Sequence, residues 1–509
     1  MSGAPQVPPG IGKSSEAWPA QPPQKPRRKV TLWFLTVEGF EYFKLYLATC
    51  CNHCYVYLVK EGLIWVERIF WLILIAVSHY ASIYIAMQSI DRFLTKNAYM
   101  GIERDYFSWN TSLPSLTICP MERLDRELFN EYCQSHYITG KNQDDLWDLL
   151  EHLANSTYMN FQDIPNHSSL DRTLDKLQLK PDKYMELIYN LTVDHTLNPV
   201  DKLRIRCIDN DEYIHSRQVL TEYGLCYLTN NNIDDRYSSK YLLFGVMPEP
   251  NEYEIKHNVR KIQMGSYPDK YIDFNFIGFQ SPIDVYAHSS YEVMKVDNNY
   301  GYTTENLYYE PFSPEITTDH NFETGASVRQ RNCRFSHESN LTHFPIYTKN
   351  ICMQECRLNL VYKMCKCIPH FYPNRLLIPK PVCDFKTLRE CMPQHEAYFL
   401  KLYRERPNSN KLDMAPCYCE QNCKGSVLSL KVSLYTRSKQ LYGSYGATMT
   451  EKEWPTVRYK REIYLTFTDL MVYIGGTAGF FLGFSVLGAI EIFYFFTMRL
   501  LFHLFGYKI

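Results

Sequence analysis

Two apolar runs frame the chain. Ile69 to Ile90 contains no Asp, Glu, Lys or Arg, and Leu470 to Ile490 is equally free of them. Each is long enough to cross a hydrocarbon core of ~30 Å as a helix. The second run carries more than an anchor needs. Gly475, Gly479 and Gly483 recur every fourth residue, which on one helix makes a glycine stripe that another backbone can approach. Glu491 follows inside apolar sequence, where an ionisable group is expensive and points to function. With Ser485 in the same stretch, the pattern predicts a lined pore. The plainer alternative is helix packing, with a Glu that merely reaches the interface.

Between the runs the hydrophobic period changes. Ile272, Phe274 and Phe276 alternate with Asp273 and Asn275, and Leu428, Leu430, Val432 and Leu434 alternate with Ser429, Lys431 and Ser433. Both stretches predict half-buried strands of an antiparallel sheet. Leu113 to Pro120 predicts a short strand ending at Cys119, and Asp144 to His152 a helix. The pattern predicts an α+β membrane protein, two transmembrane helices flanking a large extracellular domain with an antiparallel β-sheet core. Its segments are 1–68, cytoplasmic; 69–90, first span; 91–463, extracellular; 464–500, second span and pore helix; and 501–509, a short cytoplasmic tail.

Charge and sequons set the orientation. Before the first span there are eight Lys/Arg against five Glu, with Arg27-Arg28-Lys29 clustered, which predicts a cytoplasmic N-terminus. The five N-x-[ST] sequons, at Asn110, Asn155, Asn166, Asn190 and Asn340, all lie between the spans. Both termini are then cytoplasmic, and the protein is multi-pass in the plasma membrane. The Pro-rich start has no apolar signal-peptide core and reads as a tail. A net charge of −1 over 509 residues predicts no nucleic-acid partner.

Cys50, Cys51 and Cys54 precede the first span, and the other fourteen of the seventeen cysteines lie between the spans, an even number that can pair completely. Ten of them crowd into residues 333–423. Cys352/Cys356 and Cys419/Cys423 have i,i+4 spacing, so each pair is expected on one helical face. Connectivity does not follow from spacing. A zinc alternative uses Cys365-x-Cys367 with His370, or Cys417-x-Cys419. Outside the cell disulfides are favoured, so no metal and no cofactor are expected. No nucleophile–base arrangement stands out, which argues against an enzyme. A two-span scavenger or lipid receptor without ion conduction explains the topology and sequons but leaves the Gly/Ser stripe and Glu491 unused. An ATP-gated trimeric channel would want a Lys/Arg phosphate cluster, and none stands out.

Several stretches together resemble the degenerin/epithelial sodium channel family, most of all its insect pickpocket branch. They are Glu67-Arg68-Ile-Phe-Trp71, Leu116-Thr-Ile-Cys119-Pro, the ten-cysteine block and Tyr473-Ile-Gly-Gly476 through Ser485 to Glu491. The resemblance covers roughly residues 50–500. It implies a homo- or heterotrimer of related subunits, amiloride-sensitive, passing sodium ions across the bilayer in sensory or epithelial cells, and gated through the extracellular domain. It makes residues 333–423 the family's helical thumb. Gly483, Phe484 and Ser485 fall on its selectivity stretch, which interrupts the second helix; Gly475, Gly476, Gly479 and Glu491 line its pore, Gly479 at the amiloride-type position. His53 falls on the cytoplasmic His-Gly gating pair, with Cys54 in place of the Gly, and Val472 on the degenerin position. The implied disulfides are Cys333–Cys423, Cys352–Cys419, Cys356–Cys417, Cys365–Cys391, Cys367–Cys383, Cys119–Cys226 and Cys133–Cys207.

Overall fold

A computed structural model describes residues 32–50, 54–192, 203–207, 210–250, 252–266, 272–279, 281–296, 305–375, 378–405, 412–437, 445–451 and 455–504. The chain forms two compact units, Met1–Ser89 with Met471–Ile509, and Ile90–Leu470. In the first, helix α1 (Leu32–Thr49) precedes the long helix α2 (Trp65–Thr95). At 31 residues, α2 is about 46 Å long and contains the whole of the first predicted span. Ser82 is its only buried residue, while Ile69, Phe70, Leu72, Ile73, Val77 and Ile83 are all exposed. Water would not tolerate that apolar cylinder; a bilayer would.

Among the described residues the second unit holds two large sheets and three two-stranded ones. Across the larger run β1 (Ala98–Glu103), β12 (Arg458–Ile463), β9 (Glu305–Thr318), β11 (Tyr445–Glu451), β7 (Ile272–Phe279), β3 (Leu203–Cys207) and β4 (Asn210–Tyr213), with β10 (Gly425–Arg437) also paired to β9. The smaller has the order β8 (Ile283–His288), β2 (Ser115–Pro120), β6 (Gly224–Thr229) and β5 (Ser216–Thr221). Both alternating stretches lie in strands, β7 and β10, and their side chains fall outside the described residues. The expected antiparallel core is corrected in one respect: β9 pairs in parallel with β11 and β12. Consecutive β10 and β11 run in opposite directions and both lie on β9, so one pairing must be parallel. Where β2 was read as a strand leading to a disulfide, all six of its residues are buried and Cys119 bonds Cys226.

Helices α3 (Arg126–Ser135) and α4 (Lys141–Ala154) pack one core with the smaller sheet and the cysteine-rich segment. Asp125 starts α3 by accepting the Glu127 and Leu128 amides at 2.7 and 3.1 Å. In the cysteine-rich segment, Thr348 caps α5 (Lys349–Cys365) and Asp384 caps α6 (Phe385–Gln394). The disulfides Cys333–Cys423, Cys352–Cys419, Cys356–Cys417, Cys365–Cys391 and Cys367–Cys383 are formed, nested one within the next. The expectation of two helical faces is corrected. Cys352 and Cys356 stand one turn apart on α5, but their partners Cys419 and Cys417 sit on an irregular, non-helical segment. Four helical residues rise about 6 Å and two extended residues about 6.6 Å, so the two rungs match. Cys365 and Cys367 are oxidised, and buried His370 donates Nε2–H to the Leu153 carbonyl at 2.9 Å, which removes the zinc alternative. Cys133 is a buried free thiol, so the implied Cys133–Cys207 bridge is not formed; the Cys207 side chain lies outside the described residues.

One buried ion pair fastens α5 to the smaller sheet. Arg357 Nη1 donates to Glu222 at 2.6 Å, and Arg357 Nε to the Phe399 carbonyl at 2.8 Å. Tyr372 also donates to Glu222, and its hydroxyl meets that of Tyr158 at 2.7 Å.

Candidate pore helices

Near the end of the chain, α7 (Phe467–Leu482) and α8 (Val486–Tyr494) are separated by Gly483-Phe484-Ser485 and bent by 74°. Among the described residues α2 alone is long and apolar enough to cross a bilayer as one helix; α7 and α8 pass that test only together, as a broken span or a re-entrant loop. The expected single glycine stripe is corrected: Gly475 and Gly479 lie on α7, but Gly483 leaves the helix at φ +61°. That left-handed backbone favours glycine, and the Gly483 amide closes the helix end by donating to the Gly479 carbonyl at 2.9 Å. Ser485 then starts α8. Its backbone is extended, its Oγ accepts the Gly488 amide at 3.1 Å, and its carbonyl accepts the Ala489 amide at 3.0 Å. The three residues are thus a helix stop followed at once by a helix start.

A Cβ built at Gly475 or Gly476 meets nothing within 4 Å, so this face of α7 is open. At Gly479 the nearest atom is the Phe484 carbonyl oxygen at 3.6 Å. Val472 is exposed and lines, with Ile85, Gly476 and Phe480, a shallow groove of about 370 Å³. Glu491 is half-buried on α8, and the Arg499 guanidinium lies 4.6 Å from the Phe495 ring centre.

A clamp not foreseen from the sequence holds the end of α8. Tyr42 of α1 donates to the Phe495 carbonyl at 2.6 Å, and the rings of Tyr42 and Tyr46 lie 5.0 and 5.1 Å from that of Phe495. At Phe495–Arg499 the backbone loosens into one π-helical turn, as happens where a helix carbonyl is shared with an outside donor. Aromatic residues in the segment before α2 were the only sequence signal for it.

His53 lies outside the described residues. Cys54, beside it, has φ +71°, the region that glycine enters freely and a cysteine enters under strain. The short helical turn Val56–Val59 and its cap Tyr55 rest on α2: the Tyr55 hydroxyl donates to His79 Nε2 at 2.7 Å, and the Tyr57 ring stacks on Trp71 at 4.6 Å. The His79 tautomer follows from Nδ1, which donates to the Ile75 carbonyl at 2.8 Å.

In the other unit, four sequon asparagines are exposed, and Asn155 is half-buried. One cluster there, His215, Asp234 and Asp235, brings its ligand atoms within 4.8 Å of one another. Lys261 Nζ already bridges the two aspartates at 2.8 and 2.6 Å, so the cationic place is taken. Fully buried Asn97 ties the chain on either side of the sheet, accepting the Leu465 amide at 2.8 Å and donating to its carbonyl at 2.7 Å. Asn97 follows α2 and Leu465 precedes α7, so one amide side chain pins both approaches.

In the chain, a disulfide-laddered domain thus stands between an apolar helix and a helix–break–helix segment. The sequence profile of the amiloride-sensitive sodium channel family matches residues 46–495, and the chain belongs to that family. It is 23% identical over 248 residues to pickpocket protein 28 of Drosophila melanogaster, covering 44% of this chain and 38% of that protein. To the sodium channel protein Nach of Drosophila ananassae it is 22% identical over 185 residues, 34% of each chain, and to that of Drosophila virilis 24% over 187 residues, 34% and 45%. The chain thus spans between a third and a half of the length of the curated relatives it matches.

Proposed function

We propose that this chain is a subunit of a trimeric, sodium-selective, amiloride-sensitive channel of the plasma membrane, with both termini cytoplasmic and gating through the extracellular domain. The observation that carries the reading is the helix stop and start at Gly483-Phe484-Ser485. Non-helical backbone at membrane depth is tolerable only where it lines water or is buried in protein. In a trimer each position becomes a ring of three, so the break offers backbone carbonyls and three Ser485 hydroxyls, oxygen ligands able to replace part of the hydration shell of a small hard cation. The open glycine face of α7 leaves room for a neighbouring copy, homo- or heteromeric. Glu491, beyond the break, adds a carboxylate ring that concentrates cations. Val472 faces outward at the height of that glycine face, where a change in its bulk would alter how closely copies approach.

The test is electrical. In a subunit combination that yields current, Ser485→Ala changes the Na⁺/K⁺ permeability ratio, and Glu491→Gln weakens cation-over-anion selectivity or lowers conductance. Unchanged reversal potentials in both, at normal surface delivery, overturn the pore assignment. Failure of every combination to conduct, again at normal delivery, favours a two-span receptor.

A further inference from the structure

A cavity of about 310 Å³ opens in the unit Ile90–Leu470, where the start of α5, the turn into β10 and strand β12 come together. Its lining is unusually cationic. Arg461 of β12 is 8% exposed, yet its Nε has no hydrogen-bond partner and its Nη2 reaches the Asn422 carbonyl only at 3.4 Å. Burial pulls its pKa down with no opposing carboxylate to restore it. Lys349 and Lys424 line the same space, and among the described residues neither they nor Arg461 enters an ion pair.

The one carboxylate on the wall is committed elsewhere. Glu292 accepts the Val293 and Asn350 amides at 3.0 and 3.3 Å and the Asn422 side-chain amide at 2.7 Å. It therefore occupies the amino end of α5 and pairs with none of Arg461, Lys349 and Lys424. An unpaired buried guanidinium is costly, and structures that keep one ordinarily give it an anion. Met294 and Ile316 supply an apolar side to the same cavity.

We propose that this cavity binds a small organic anion through a carboxylate, which the Arg461 guanidinium grips while Lys349 and Lys424 balance its charge and Met294 and Ile316 pack its apolar body. The planar fork of arginine matches a carboxylate with two parallel hydrogen bonds. The volume excludes a bare halide as the natural fit, since one water occupies only about 30 Å³, and it lies at the lower end of small-molecule sites. An occupant would join the root of α5 to β12, the strand that continues in the chain toward α7, so its binding is placed to modulate whatever the extracellular domain does. The site makes no use of the pore residues and stands independently of the conduction reading.

The experiment uses the purified full chain in detergent and follows thermal unfolding by intrinsic fluorescence. Sodium butyrate is the probe, with sodium chloride and sodium phosphate at matched sodium concentration and neutral butyramide as comparators. Butyrate should raise Tm saturably and the comparators should not. Lys349→Gln with Lys424→Gln should raise the half-saturating butyrate concentration roughly tenfold or more while leaving the unliganded Tm near that of the parent. Arg461→Lys, which keeps the charge and loses the fork, should weaken butyrate similarly. Equal stabilisation by chloride, phosphate or butyramide would overturn the assignment. So would an unchanged half-saturation in the double lysine variant, which keeps the test open should Arg461 variants fail to fold.

Discussion

Gly483→Ala tests the break directly. The glycine sits at φ +61°, and an alanine there costs about 1–2 kcal/mol relative to the right-handed region. If the helix instead runs straight through, the same substitution favours it by roughly 0.5–1 kcal/mol, because alanine is the better helix former. Straightening forfeits the Ser485 cap on Gly488, worth about 1 kcal/mol. That loss is common to parent and variant, so the substitution itself shifts the balance toward a straight helix by about 1.5–3 kcal/mol per chain, a factor of roughly 10–150 in the bent-to-straight ratio. The assay is the Na⁺/K⁺ reversal potential under bi-ionic conditions, with surface labelling as the control. Selectivity should fall in Gly483→Ala and fall less in Gly483→Asn, because asparagine enters the left-handed region more readily although its side chain is larger. The opposite order would mean that side-chain bulk matters and the backbone angle does not, refuting the reasoning.

Three further perturbations follow from single observations. Cys54→Gly should relieve the strain at φ +71° and stabilise the short helical turn that follows by about 1 kcal/mol, seen as slower amide exchange at Tyr55 to Tyr57; unchanged exchange would contradict it. Arg357→Met strands Glu222 in the core and should destabilise the extracellular domain by about 3–5 kcal/mol, with partial recovery in Glu222→Gln/Arg357→Met; additive losses in thermal unfolding would argue against the pair. His370 is held near a pKa of about 4 by burial, against an ordinary 6.5, and its Nδ1 has no partner to receive a proton. The unfolded chain therefore binds the proton first, so the contribution of His370 is complete above pH 6.5 and is lost as pH falls toward 4, by up to about 3 kcal/mol. His370→Gln, which keeps a donor for the Leu153 carbonyl, should flatten the acid limb of the Tm–pH curve; a parallel limb would rule His370 out.

Long-period patterns were legible in the sequence, and single-residue geometry was not. The charge-free run from Ile69 to Ile90 needs only composition to be read, and it lies wholly inside α2. Alternation marked β7 and β10, because a two-residue period survives whatever the strand pairs with. Parallel pairing on β9 could not be read, since it depends on strands more than a hundred residues apart. Cys419 and Cys423 share helical spacing, yet Cys417 and Cys419 make the rungs, because spacing says nothing of whether its own segment is helical. Gly475, Gly479 and Gly483 look equivalent in sequence; only the backbone angle separates two helix glycines from one helix stop. Arg461 looks like any strand arginine until its burial and missing partner are seen together.

The distribution of crosslinks separates what is rigid from what can switch. The six disulfides among the described residues lie within Ile90–Leu470, four of them around α5 and the segments facing it. Each closes a loop whose loss costs a few kcal/mol, so this unit moves as packed bodies and not by local melting. In the other unit the described cysteines Cys50 and Cys54 are thiols. There the ends of the chain are joined by the Tyr42 hydrogen bond and the rings of Tyr46 and Phe495, contacts worth roughly 0.5–1.5 kcal/mol each. A two-state element must have a gap of only a few kcal/mol if a ligand is to shift it. The α1–Phe495 clamp and the Gly483 break fall in that range, whereas the disulfide ladder is far outside it. In the proposed channel, switching therefore belongs to the weakly tied helices and not to the laddered domain.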